Sequence, residues 1–157
     1  VGKASVIKSF IKTEKSDFMS PRKQEKIFNV AYAGELLKIA VGDLQTAQAL
    51  CELLIQGKPL RTENIFFHAH QAIEKSLKAF LIKNKTPVPL VHELGSLIAK
   101  ISTEHDLPFG YELSQLDSFA TVRRYEEGQV VLTVEEAQTV IKSAKDCIEW
   151  VSTHVSK

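Results

Sequence analysis

Along this chain apolar residues return at three- and four-residue spacing, the repeat of helices buried along one side. Leu37, Ala40, Val41, Leu44, Ala47, Cys51, Leu54 and Ile55 form the first sustained stripe, which Gln56-Gly57-Lys58-Pro59 ends. A second helix is predicted over Arg61 to Lys85, RTENIFFHAHQAIEKSLKAFLIKNK. At about 100° per residue its Phe66, Ala69, Ile73, Ser76, Leu77 and Phe80 gather on one side. His68, Gln71, Lys75 and Lys78 gather opposite, with Glu74 at their edge. The apolar side predicts core. The polar side has two readings: a solvated surface, with Glu74 and Lys78 as a stabilising pair one turn apart, or a site for a ligand or partner.

Thr86-Pro87-Val88-Pro89 cannot stay helical. Leu94, Leu97, Ile98 and Ile101 then mark a shorter helix with His92-Glu93 at its mouth, and Ser102 to Gly110 a loop. Tyr111 to Glu126 is predicted helical through Leu113, Leu116, Phe119 and Ala120, with Val130-Val131-Leu132 as an apolar connector. Thr133-Val134-Glu135-Glu136 is a capping box, in which a hydroxyl and a carboxylate satisfy exposed amides reciprocally. It opens a last helix whose core stripe is Ala137, Val140, Ile141, Ala144, Ile148, Val151 and Val155. No stretch alternates with period two long enough to predict a strand. The expected architecture is all-α: an up-and-down bundle of four long helices plus one short helix.

The beginning of the chain adds an extension to this picture. Ser20-Pro21 has the form of a helix start, and Gly34 marks a break before the first bundle helix. Residues 1–33 are therefore expected to form a helical N-terminal extension and 34–157 the bundle domain. Lys3, Lys8, Lys12 and Lys15 surround Val6, Ile7, Phe10 and Ile11 in a short basic amphipathic segment. A helical extension is favoured there over a targeting peptide. Val1-Gly2 fits trimming of an initiator Met or excision from a longer chain.

Composition narrows the function classes. With 157 residues, 44% apolar and 25% charged, the chain is one globular domain with a hydrophobic core. A net charge of only +1 disfavours indiscriminate polyanion binding, so any nucleic-acid contact must come from a local patch. Cys51 and Cys147 lack zinc-ligand spacing and are expected to be buried free thiols in a reducing cytoplasm. No apolar run reaches the length of a membrane span. His68 and His70, two apart, point to different sides of a helix, and His92 and His105 have no carboxylate set on a common face. No metal site and no cofactor are therefore expected. Neither a Gly-rich phosphate loop nor a nucleophile elbow is present.

Two polar clusters remain. One is the Gln71, Lys75, Lys78 stripe with Glu74. The other is Asp117, Thr121, Arg124 and Tyr125, where 117, 121 and 124 share one predicted helix face and Arg123 adds a second guanidinium. Arg can fork onto a phosphate while Tyr offers a stacking plane, as a nucleotide or RNA contact requires. The plainer account is an Asp117–Arg124 ion pair, with Arg123 and Arg124 suiting a helix C-terminus.

These residues resemble a known family. Phe67 to Ile82 is similar to the central helix of HEPN domains (higher eukaryotes and prokaryotes nucleotide-binding), whose Gln-Ala-x-Glu-Lys-x-x-Lys-Ala pattern is met by Gln71, Ala72, Glu74, Lys75, Lys78 and Ala79. His92-Glu93-Leu94 is similar to the family's His-Asp-Leu element, with Glu replacing Asp. Leu116-Asp117 and Thr121 to Tyr125 resemble its Leu-Asp and Thr-x-Arg-Tyr segment, with one extra residue before Arg124. The resemblance implies a helical bundle that pairs into homodimers and has one of two functional styles. Some members accompany a nucleotidyltransferase and are thought to bind nucleotide; others are ribonucleases, often toxins of toxin-antitoxin pairs, marked by an Arg followed closely by a His. Here the next histidine after Arg123 and Arg124 is His154. Arg61 and His68 have a comparable gap but open the wrong helix.

Three functions follow as expectations. The first is a non-catalytic domain binding a nucleotide or a nucleotidyltransferase partner: Lys75, Lys78 and Arg124 hold phosphate, Tyr125 stacks, and Gln71 and Asp117 orient. The second is a structural dimerisation or interaction module. The third is a dimeric ribonuclease using Arg123 or Arg124 with His68, His92 or a group from a partner chain.

Overall fold

The structure, a computed structural model, describes residues 24–110, 112–117 and 131–155. In chain order these form β1 (Glu25–Lys26), α1 (Tyr32–Ile55), α2 (Glu63–Lys83), β2 (Val88–Pro89), α3 (Leu94–Ser102), a helical segment α4 over 112–117, and α5 (Val134–Val155). The all-α class expected from the apolar repeat is what the chain adopts. The predicted helix over 111–126 is helical at 112–117, and its remainder lies outside the described residues.

The three long helices pack on one another, with α2 in extensive contact with both α1 and α5. Ile65, Ile73, Leu77, Phe80, Leu81 and Ile82 of α2 are buried with Ala40 and Ala47 of α1 and Ala144 and Val151 of α5. Full burial of each large side chain stabilises by about 1.5–3 kcal/mol relative to leaving it in water. Small residues on α1 and α5 let the α2 backbone approach closely. One end of the core is aromatic: Phe80 lies 4.8 Å from Trp150 and 4.9 Å from His105, and Trp150 lies 4.3 Å from His154. Cys51 and Cys147 are buried free thiols as expected, and burial pushes the Cys147 thiol up to about 12.

The helix ends follow local chemistry. After α1, Gly57 takes φ 72°, and the amides of Lys58 and Gly57 donate to the Leu53 and Leu54 carbonyls in a Schellman closure. After α2 the same closure recurs with Lys85 at φ 56°, where the amides of Thr86 and Lys85 donate to the Leu81 and Ile82 carbonyls. The Thr133–Glu136 capping box forms, with the Glu136 amide donating to Thr133 Oγ1 at 3.1 Å. The Leu132 amide donates to the hydroxyl oxygen of buried Thr62 (2.9 Å), fixing where the chain enters α5.

One expectation is corrected. Residues 24–31 are not a helix; they run extended into a turn, and α1 passes through Gly34 without a break. Glu25 and Lys26 instead pair antiparallel with Pro89 and Val88, and the Leu90 amide donates to the Gln24 carbonyl at 2.8 Å. Phe28 packs against the core and stacks on Tyr32 at 5.6 Å. Pairing with β2 and the partial burial of Phe28 go with the extended course of residues 24–28, while the Ser20-Pro21 helix start lies outside the described residues. Two strands of two residues are too short for a period-two pattern to reveal. Residues 1–23, with the basic amphipathic segment, lie outside the described residues.

Candidate functional site

The polar side of α2 is not a solvated surface. Glu74 is only 3% exposed, and Gln71, Lys75 and Lys78 are partly buried. Each charged member has a partner. Glu74 Oε1 accepts from Lys78 Nζ at 2.8 Å and lies 3.1 Å from His92 Nδ1, while Glu74 Oε2 accepts from Gln71 Nε2 at 3.1 Å. One turn along the helix stripe, Lys75 Nζ donates to Asp43 Oδ2 of α1, and Asp43 Oδ1 lies 3.1 Å from His68 Nδ1. The same unit therefore occurs twice: a carboxylate that bridges a lysine ammonium and the Nδ1 of an imidazole. Burying a carboxylate requires such partners, because an unpaired charge away from water is strongly unfavourable.

A third carboxylate fastens α3 to this side. Glu93, the residue before α3, makes no side-chain cap to the helix. Asp117 does so from α4: its Oδ1 accepts the Leu94 amide and its Oδ2 the Gly95 amide, both at 2.8 Å, and its Oδ1 also lies 3.1 Å from His70 Nε2. A carboxylate over two N-terminal amides suits the positive end of the helix dipole. This cap holds His92, two residues upstream, beside Glu74. The His92 side chain is 84% exposed, so its ring meets water on the side away from the buried carboxylate.

Of the residues expected at the site, Gln71, Glu74, Lys75 and Lys78 lie along this shelf, and Asp117 stands at its α3 end. Arg123, Arg124 and Tyr125 lie outside the described residues. Sequence reasoning missed Asp43 and the roles of three histidines. Asp43 had one signal, a lone acid between Val41 and Leu44 of a core-facing stripe. His68 and His70 do point to different elements, as their spacing required, and each meets a carboxylate there. Among the described residues, no group of three or more His, Cys, Asp or Glu side chains could hold a metal ion, and no helix is long and apolar enough to cross a membrane.

An all-α bundle with a braced polar shelf on its central helix defines a class of helical domains. The particular family is shown by a profile match: the HEPN domain matches residues 33–154, most of the chain. The chain belongs to the HEPN domain family of nucleotide-binding and ribonuclease-type helical domains. No curated protein and no solved structure matches it.

Proposed function

We propose that this chain is a non-catalytic HEPN domain that binds a nucleotide through its phosphates at the α2 shelf and acts with a nucleotidyltransferase partner. The observation that carries this reading is the bracing of Lys75 and Lys78. Both ammonium groups are partly buried and held by carboxylates, so their positions are set before any ligand arrives. Preset donors avoid the ordering penalty that loose surface lysines meet on binding. Gln71 lies one turn before Lys75 on the stripe, and its amide, which donates to Glu74, can turn to a ligand hydroxyl or base edge. The non-catalytic part of the reading is supported by sequence, since neither Arg123 nor Arg124 has a histidine close after it. A homodimer in the cytoplasm is the expected setting.

Calorimetry with ATP, GTP and AMP tests the proposal. Saturable binding that weakens about tenfold in Lys75→Ala and in Lys78→Ala is expected, the size of one lost charge-assisted contact. Absence of binding at millimolar nucleotide removes the ligand from the reading and leaves an interaction module. Cleavage of labelled RNA that disappears in His92→Ala would replace it with a ribonuclease.

A further inference from the structure

The outward side of α1 has a composition that its own protomer does not explain. Ala40, Leu44, Ala47 and Cys51 turn into the core, and at about 100° per residue Ile39, Gly42, Thr46, Ala49 and Leu53 line the side away from it. Ile39 and Leu53 are 47% and 41% exposed. Between them stand only small side chains. Thr46 keeps its hydroxyl on the Gly42 carbonyl at 3.1 Å, which leaves its methyl to meet an apolar neighbour. Gly42 lies in mid-helix, where glycine is unfavourable relative to alanine, and a Cβ there would meet nothing within 4 Å. No contact among the described residues requires that glycine. The flanking charges are ordered as well. Lys38, Gln45 and Glu52 recur every seven residues beside this stripe, with opposite charges at its two ends. Glu52 stands at the negative end of the α1 dipole, and the last turn has no basic residue to balance it. Lys38 pairs with Glu35, but their side chains are 76% and 65% exposed, and such a pair adds little in water.

We infer that this side of α1 docks antiparallel on the same side of α1 in a second copy of the chain, with the twofold axis at Thr46. Reversal about Thr46 brings Ile39 to the partner's Leu53, Gly42 to the partner's Ala49 and Lys38 to the partner's Glu52, each of these twice. A parallel pairing would set Lys38 against Lys38 and Glu52 against Glu52, so the charges select the antiparallel one. The small residues at the crossing let the two axes approach to about 8 Å, the close end of helix spacing. Asp43 lies on the flank opposite Lys38 and carries the shelf contacts to Lys75 and His68. A twofold axis normal to the helix pair keeps that flank on one side in both copies. The two α2 shelves therefore open in the same direction, one on each side of the α1 pair. The inference rests on the homodimer in the reading above, and not on its nucleotide.

Sedimentation equilibrium of the full chain tests the pairing and its register. Wild type is expected to dimerise, and Ile39→Glu, at an exposed position, to weaken the dimer about a hundredfold while leaving the fold intact. Gly42→Leu should move two readouts in opposite directions. The dimer weakens because the crossing is blocked, while the unfolding midpoint of the dilute chain rises because leucine favours helix over glycine. Lys38→Glu and Glu52→Lys each set like charges across the pair and should each weaken self-association about tenfold. Mixed with one another, these two single variants restore both charge pairs, so an equimolar mixture should dimerise as wild type does. Failure of the mixture to recover overturns the antiparallel register. A wild-type dimer that survives Ile39→Glu and Gly42→Leu overturns the choice of face. A wild type that stays monomeric at hundreds of micromolar overturns the inference and gives the face to another partner. If that monomer still binds ATP in calorimetry, the nucleotide reading stands and this inference alone fails.

Discussion

The two sides of α2 are both withdrawn from water, but by different means. On one side Ile73, Leu77 and Phe80 need only apolar neighbours of the right volume, and α1 and α5 supply them. On the other side Glu74 needs particular donors at particular distances, and it draws them from α2 itself and from the loop before α3. An apolar contact is forgiving because dispersion and burial are non-directional. A buried carboxylate is not, since a missing donor leaves a charge stranded. The polar side thus fixes geometry more strictly than the apolar side while adding less to stability.

Mutations can break that comparison at either side. The largest effect is expected on the apolar side: Phe80→Ala should destabilise by about 3–5 kcal/mol in urea unfolding, because a cavity opens beneath Trp150 and His105. Glu74→Ala comes next, at about 3 kcal/mol, because it strands the partly buried Lys78 ammonium. The pair Glu74→Leu with Lys78→Met should recover stability to within about 1 kcal/mol of wild type while losing any ligand. If Glu74→Ala alone were neutral, the two sides would not differ in kind. Asp117→Asn should cost about 1–2 kcal/mol and speed hydrogen exchange at the Leu94 and Gly95 amides, since it weakens the charged cap of α3. The smallest effect lies off both sides: Lys85→Gly relieves a side chain held at φ 56° and should stabilise by about 0.5 kcal/mol.

The same contrast explains how much the sequence made legible. The core stripes of α1, α2 and α5, the Gly57 stop and the Thr133 capping box all depend on residues within a few positions of one another. Each appeared where the local pattern put it. The shelf depends on pairs far apart in the chain: Asp43 with His68 and Lys75, Glu74 with His92, Asp117 with Leu94 and Gly95. Periodicity could place Gln71, Glu74, Lys75 and Lys78 on one stripe, but not bury them, because burial was decided by α1 and by the mouth of α3. The same limit explains β1, whose only signal is a partner strand lying past α2. Resemblance to the HEPN family linked the α2 pattern with His92 and Asp117, and the structure gives that linkage a physical content in shared carboxylates. Asp43 had no part in the motif and was found only through its contacts.

We propose that the polar side of α2 is a preset site for phosphate. Side-chain NMR of the lysine ammonium and histidine imidazole groups during titration with ATP tests it most directly. Saturable shifts are expected at Lys75, Lys78 and His92, with His105 and His154 at the aromatic end unmoved. Shifts at His105 and His154 with the shelf silent, or no shift at millimolar ATP, would contradict it.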